Sequence, residues 1–326
     1  MRAITISRPG GPEVLTVSEV EEPAPGPHEV VIDVAAAGVN RADVAQRQGV
    51  YPPPEGAPAW PGLEVSGIVV ALGASVSQWR VGDYVVALLS GGGYADRVAV
   101  DEGLVLPMPK GVDLALAAGL PEAVATVWSN LVLEAGLREG DVLLVHGGAS
   151  GVGTIAIQIG AALGATVYAT AGSAEKVALC EQLGAARGID YRGEDFVEVV
   201  QQETEGRGVD VILDMVGGDY LARDVAALAT GGRIQLIATQ RGREATIDAS
   251  VLMAKRARIH GTTLRARPLE ERRAIVAAVR EHAWPLVERG AVQVFLDSAY
   301  PLDFAATAHR RMESGEHAGK ILLAVR

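Results

Sequence analysis

Over roughly the first third of the chain, apolar positions fall in short runs of strand length: residues 2–7, 15–20, 29–35, 65–71 and 83–89. Turn-forming clusters separate them, namely Pro9-Gly10-Gly11-Pro12, Pro25-Gly26-Pro27, Val81-Gly82-Asp83 and Gly91-Gly92-Gly93. Short apolar runs punctuated in this way predict a β-rich, barrel-like domain. One stretch breaks the pattern. Residues 40–48 read as a helix and lead into the stiff loop Tyr51-Pro52-Pro53-Pro54.

From about residue 121 the pattern changes to alternating strand and helix. Val142-Leu143-Leu144-Val145 reads as a buried strand, followed by the glycine-rich turn Gly147-Gly148-Ala149-Ser150-Gly151-Val152-Gly153. A helix-period run comes next (Ile155, Ala156, Ile159, Ala162, Leu163), then a β-branched strand, Thr166-Val167-Tyr168-Ala169-Thr170. Strand, glycine turn, helix and strand within about thirty residues is the unit that binds a dinucleotide. Backbone without side chains can approach a pyrophosphate, and the unpaired N–H groups of a helix N-terminus bind anions. Further helices at 174–183, 194–205 and 220–230 alternate with strands at 188–191, 209–215, 233–238 and 258–264, which predicts a six-stranded parallel sheet. After residue 265 the pattern is mixed and ends in the apolar run Lys320-Ile321-Leu322-Leu323-Ala324-Val325, read as rejoining the first domain. The fold class is therefore α/β, with one domain formed by residues 1–120 and 265–326 and a Rossmann-type domain over 121–264.

The glycine turn departs from G-x-G-x-x-G, because Ser150 stands at the middle glycine. The end of the second strand indicates which dinucleotide is bound. NAD sites place an acid there to hold the ribose 2′-hydroxyl. This strand ends Thr170-Ala171-Gly172-Ser173 and has no carboxylate before Glu175. Ser173, Lys176, Tyr191 and Arg192 suit a 2′-phosphate, so NADP(H) is expected in preference to NAD(H). The bland alternative for Lys176 is a solvated helix residue.

Composition narrows the function classes. A net charge of −11 argues against nucleic acid or an anionic membrane as a general partner. No run in the sequence reads as approaching the roughly 20 apolar residues of a membrane span, and residues 1–6 read as a strand without signal-peptide layout. The single Cys180 excludes an intramolecular disulfide and fits a reducing, cytoplasmic location. The basic stretch Lys255-Arg256-Ala257-Arg258, with Arg265, Arg267, Arg272 and Arg273, reads as a solvated face or local ion pairing. The six histidines are scattered without ligand spacing, and His146 reads as a packed, hydrogen-bonded residue.

Several motifs occur in order along the whole chain: Gly38-Val39-Asn40-Arg41-Ala42-Asp43, Arg47-Gln48-Gly49-Val50-Tyr51, Pro61-Gly62-Leu63-Glu64, Val81-Gly82-Asp83, Gly92-Gly93-Tyr94-Ala95, Pro121-Glu122-Ala123, Gly151-Val152-Gly153 and Gly319-Lys320-Ile321. Together they resemble the zinc-free, zeta-crystallin-like quinone oxidoreductases of the medium-chain dehydrogenase/reductase superfamily. Tyr51-Pro52-Pro53-Pro54 and the run ending Gly91-Gly92-Gly93 are most similar to the tumour-suppressor-inducible branch of that group. The resemblance implies a GroES-like β-barrel catalytic domain, a Rossmann domain, bound NADPH, and a homodimer paired through the strand at 258–264, whose apolar edge needs covering. It implies hydride transfer to a small-molecule quinone. The alternatives are reduction of activated C=C bonds in enals, enones or enoyl thioesters, or a non-catalytic NADPH-binding role in redox sensing or structure.

Zinc members of that superfamily carry Gly-His-Glu where this chain has Gly62-Leu63-Glu64, and with one cysteine neither a catalytic nor a four-cysteine zinc site can be built. No metal is expected. The pyrophosphate is assigned to the turn at Ser150, Gly151, Val152 and Gly153. The resemblance places Asn40, Tyr51 and Thr126 near nicotinamide and acceptor. Tyr51 is then either a phenolic donor to the acceptor oxygen or a stacking ring. Asn40 either orients a carboxamide or acceptor or caps the following helix. Asp43 is read as orienting backbone or pairing with an arginine rather than acting as a base.

Overall fold

The computed structural model describes all 326 residues. The chain divides into two compact units, the first made of Met1–Ala125, Leu264–Glu288 and Val294–Arg326, the second of Thr126–Thr263 and Arg289–Gln293.

Nine strands build the first unit. In chain order they are β1 (Arg2–Ile6), β2 (Leu15–Glu19), β3 (Glu29–Val39), β4 (Glu64–Leu72), β5 (Tyr84–Leu88), β6 (Arg97–Asp101) and β7 (Val105–Pro107). Six strands of the second unit intervene before β14 (Leu296–Pro301) and β15 (Lys320–Ala324). β1 and β2 form a separate antiparallel pair. The main sheet runs β14-β15-β3-β4-β5-β7, with β6 also pairing with β3. Only β14 and β15 lie parallel; the other pairings are antiparallel.

β3 organises this sheet. Its 11 residues pair with β4 along their length, with β6 over Glu29–Asp33 and with β15 over Ala36–Val39. Sequence pattern stops the strand at residue 35, because Ala36, Ala37 and Gly38 are poor strand formers. The ladder to Ile321–Ala324 overrides that preference and buries Ala36 and Ala37 completely. β6 and β7 carry no clear periodic signal, and β7 is only three residues long and ends in proline.

The second unit is a six-stranded, wholly parallel sheet in the order β10-β9-β8-β11-β12-β13, as the alternating pattern predicts. Its strands are β8 (Val142–Val145), β9 (Thr166–Ala171), β10 (Arg187–Asp190), β11 (Val209–Asp214), β12 (Leu228–Leu236) and β13 (Arg258–Gly261). Val142-Leu143-Leu144-Val145 is buried along its whole length, as a strand covered on both faces must be. One core cluster joins Leu144, Tyr168, Ile189, Phe196, Val200, Ile212, Tyr220 and Ile234. β13 forms the edge. It is shorter than read from sequence and not apolar: Arg258, His260 and Gly261 are exposed and Ile259 is only partly covered.

One expectation needs correction. The stretch Leu114–Glu134, 21 residues long and helical over Leu114–Ala117 and from Pro121 to Glu134, is apolar enough to cross a membrane by length and composition. It is interrupted by no charged cluster, and 72% of its most apolar window is buried within the protein, as in a core helix.

Candidate active site

The glycine turn sits at the C-terminal end of β8. Ser150 caps the helix Gly151–Ala162, its Oγ accepting from the N–H of Gly153 at 3.0 Å. Gly153 is confined by packing as well: a Cβ there would lie 2.2 Å from the Gly147 carbonyl oxygen. Sequence reading grouped Gly153 with the anion-binding N–H groups, but its N–H is already bonded to Ser150. Gly151 and Val152 supply the first-turn N–H groups that face no intrahelical carbonyl. Ser150 Oγ also lies 3.4 Å from Met215 Sδ at the end of β11.

A buried polar chain holds this turn. His146, at 0% exposure, contacts Thr170 Oγ1 through Nδ1 at 3.0 Å and Asp224 Oδ1 through Nε2 at 2.8 Å. Thr170 in turn accepts from the Gly147 N–H through Oγ1 (3.3 Å) and from the Gly148 N–H through its carbonyl (2.8 Å). Asp214, at the end of β11, accepts from the N–H groups of Val216 and Gly217. Burial, and then the neighbouring Asp224, push its carboxyl up to about 6.

The residues proposed for a 2′-phosphate come together at the adjacent strand ends. Asp190 of β10 is in register with Ala171 of β9. Tyr191, 42% exposed, follows directly, and its hydroxyl lies against Gly172 where a Cβ would be 2.5 Å away. Ser173 caps the helix Ala174–Gln182, accepting from the Lys176 N–H at 3.3 Å. Arg192 is exposed, its N–H donating to Asp190 at 3.1 Å. β9 itself ends without an acid, while Asp190 of β10 and Glu175, which bonds the Ser173 hydroxyl, stand beside it.

In the first unit a second buried polar cluster surrounds Asn40. Its Nδ2 donates to Glu64 Oε1 at 2.9 Å, and its Oδ1 accepts from Lys320 Nζ at 2.8 Å. Lys320 also bonds Glu64 Oε1, closing an ion pair in which both side chains are 2% exposed or less. Glu64 Oε2 accepts from the Glu122 N–H at 2.9 Å. Asn40 stands at the N-cap of the helix Arg41–Arg47, but its amide is spent on Glu64 and Lys320.

Asp43 reaches back to the Asn40 N–H at 2.8 Å and across to the Gly62 N–H at 2.9 Å, so it orders backbone as expected. Burial pushes its carboxyl up to about 6, against the opposing effect of those two bonds. Gly62 has φ +110°, and a Cβ there would meet Gly93 backbone at 2.5 Å, which is why no other residue fits. Tyr94 O–H lies 3.3 Å from Asp43 and 3.2 Å from His309 Nε2. Arg47, fully buried, touches His309 Nδ1 and pairs with Glu313.

Tyr51 sits under Arg265, whose guanidinium carbon is 5.5 Å from the ring centre. Arg265 is 4% exposed; Nε donates to Ser90 O at 2.6 Å and Nη2 to Gln46 Oε1 at 2.8 Å. Its Nη1 is buried with no partner. Arg272, also buried, donates to Ser90 Oγ. Burial, and then the Glu122 carboxylate, raise the Tyr51 phenol above its ordinary value, and Arg265 opposes them. Thr126 belongs to the second unit, where its carbonyl accepts from Ser129 Oγ and Asn130 Nδ2.

The sequence singles out Asn40 and Tyr51, both in polar surroundings here, but Arg265 and Arg272 read there as part of a solvated basic stretch and are buried in the structure. Glu64, Glu122 and Lys320 enter the sequence reading only as motif letters. A physical signal was there: Glu64 and Lys320 each head an apolar strand, and a charge at a buried strand end requires a partner.

Zinc would need cysteine, histidine or carboxylate ligands at this position. Leu63 is fully buried beside the cluster and offers no ligand atom, and no group of three or more His, Cys, Asp or Glu side chains is placed to hold a metal ion. The donor set does not fit the metal.

Fold and site together define a medium-chain dehydrogenase/reductase. A model described as an alcohol dehydrogenase GroES-like domain matches residues 26–110, and one described as a zinc-binding dehydrogenase matches residues 151–281. A quinone oxidoreductase of Rattus norvegicus is 34% identical, over 99% of this chain and 97% of its own length. Among solved structures, an NAD-dependent alcohol dehydrogenase has a TM-score of 0.90 at 32% identity, covering 100% of both chains. Escherichia coli quinone oxidoreductase complexed with NADPH has a TM-score of 0.89 at 29% identity, covering 99% of this chain and 100% of its own. The chain belongs to the quinone oxidoreductase family of that superfamily, and it is an oxidoreductase.

Proposed function

We propose that this protein reduces quinones with NADPH, without a metal, as a cytoplasmic homodimer. The observation that carries the cofactor reading is that β9 ends Thr170-Ala171-Gly172-Ser173 without an acid of its own, with Lys176 in the helix that follows and Tyr191 and Arg192 after the neighbouring strand. A carboxylate there would hold a ribose hydroxyl but repel a phosphate. The NADPH-bound relative supports the same reading. When bound, the cofactor supplies the hydride, and the protein's task is position and electrostatics.

The chain's own residues divide that task. Gly151 and Val152 N–H groups hold the pyrophosphate, with Ser150 and Gly153 shaping the turn. Ser173, Lys176 and Tyr191 bind the 2′-phosphate, and Arg192 adds charge. Asn40 fixes Glu64 and Lys320, so the floor of the acceptor site is a rigid, fully bonded network. Within the second unit Thr126 borders the nicotinamide; within the first, Tyr51 borders the acceptor, and Arg265 sets its electrostatic environment. The alcohol direction lacks the Lewis acid that acidifies a hydroxyl, whereas an electron-poor quinone needs none.

A spectrophotometric assay with 1,4-benzoquinone or 9,10-phenanthrenequinone tests this. NADPH should be oxidised faster than NADH, and quinones should outpace 2-cyclohexenone as acceptors. Equal use of the two cofactors would refute the 2′-phosphate site, and faster enone turnover would replace the quinone with an activated C=C bond.

A further inference from the structure

We infer that Arg47, His309 and Tyr94 are positioning residues for the acceptor site. Hydrogen bonds run in one direction from Arg47 through His309 and Tyr94 to Asp43, and Asp43 holds the backbone of Asn40 and Gly62. The inference rests on the reading of Asn40, Glu64 and Lys320 as the floor of that site.

The direction follows from what each group can donate. A guanidinium has no acceptor, so Arg47 Nη1, 3.3 Å from His309 Nδ1, makes that nitrogen the acceptor. The neutral imidazole then carries its proton on Nε2. That N–H lies 3.2 Å from Tyr94 Oη and donates to it. The phenol's own proton is left for Asp43 Oδ2, 3.3 Å away. All four side chains are 0% exposed, so water does not compete for these bonds.

The chain is anchored at both ends. Arg47 donates through Nη1 and Nη2 to the two carboxylate oxygens of Glu313 at 2.9 and 2.6 Å, and through Nε to the Gly10 carbonyl at 3.0 Å. His309 and Glu313 stand one turn apart on the helix Ala305–Glu313, as Asp43 and Arg47 do on Arg41–Arg47. The bonds therefore leave the second helix at its last turn, cross to the other helix and Tyr94, and return to its first turn. The charged groups facing His309 are Arg47 and Glu313. Burial, and then Arg47, push the imidazole down to about 3, so the chain is a fixed support and not a proton relay.

Asp43 passes this order to the site. It accepts from the Asn40 N–H at 2.8 Å and the Gly62 N–H at 2.9 Å. The first bond places the residue whose amide joins Glu64 and Lys320, and the second fixes the turn Gly62-Leu63-Glu64 that leads to Glu64 itself. A shift of about 1 Å at such a support costs about 100-fold in rate. The glycine turn assigned to the pyrophosphate belongs to the other unit, so cofactor affinity should not follow.

The test uses the full-length enzyme labelled with 15N-histidine, together with NADPH and 1,4-benzoquinone. The His309 signals, assigned by their loss in His309→Gln, should show a bare Nδ1 and a protonated Nε2 from about pH 5 to about pH 9. Tyr94→Phe removes the proton given to Asp43 and should lower kcat about 10- to 100-fold, with the NADPH Kd from cofactor fluorescence unchanged within about twofold. His309→Gln, whose amide can both accept from Arg47 and donate to Tyr94, should recover most of the activity that His309→Leu loses. A proton on Nδ1, or an imidazole that titrates in that range, overturns the direction of the chain. Wild-type kcat in Tyr94→Phe, or equal losses in His309→Gln and His309→Leu, overturns the positioning role. If Tyr94→Phe does not fold, the wild-type histidine spectrum and the Gln and Leu variants decide. A wild type that does not oxidise NADPH with the quinone overturns the reductase reading, and the acceptor-site role with it, whatever the histidine spectrum shows.

Discussion

In the proposed 2′-phosphate site, Lys176 and Ser173 take the place of the acidic residue that holds a free ribose at a strand end, and the proposed effect is one of sign. Lys176→Glu should raise the KM for NADPH about 10- to 100-fold, the size of one or two charge-assisted contacts, and leave NADH nearly untouched. A parallel loss for both cofactors would mean a structural role for the helix start. The raised carboxyls give a second prediction at this scale. Glu122 near 8, and Asp43 and Asp214 near 6, bind protons more tightly when folded than when unfolded. Their contribution is fully present below the ordinary carboxylate range and is lost as pH rises through those folded values. The melting temperature should therefore fall from about pH 4 to about pH 8, and Glu122→Gln should flatten the part of that fall between about pH 6 and 8. Thermal melts across pH check it. Arg265 shows why residue roles were only partly legible. An arginine in a run of arginines looks solvated until the Ser90 carbonyl and Gln46, far away in sequence, are seen to bury it.

Among elements, the turn after β8 owes its shape to β9 and to the helix Tyr220–Ala227 as much as to its own glycines. Thr170 ties it to one, and His146 with Asp224 to the other. Asp224→Ala would leave a buried imidazole nitrogen unpaired, a cost of about 1–3 kcal/mol in urea unfolding, together with weaker NADPH binding. Normal stability in that variant would show that the chain from His146 to Thr170 is not a support. The parallel sheet was legible because the central strands β8, β9 and β11 are rich in apolar residues and each crossover carries a helix. β3 beyond residue 35, and β6 and β7, were not, because pairing across the sheet, rather than local propensity, makes them strands.

For the whole molecule, the two-part architecture could be read from the switch between β-rich and alternating patterns, while the chemistry of the edge strand could not. β13 presents arginine and histidine rather than an apolar edge, so the proposed dimer would rely on main-chain pairing, with polar side chains around it. Light scattering on the purified protein should give twice the 33.9 kDa chain mass; a monomer at micromolar concentration would remove that proposal and leave the reductase reading intact. The central claim is a metal-independent, NADPH-preferring quinone reduction, and initial rates with 1,4-benzoquinone in the presence of EDTA test it most directly. NADPH should be oxidised at least tenfold more efficiently than NADH in kcat/KM, with no effect of the chelator. A rate abolished by EDTA, or an equal or greater efficiency with NADH, would contradict the account.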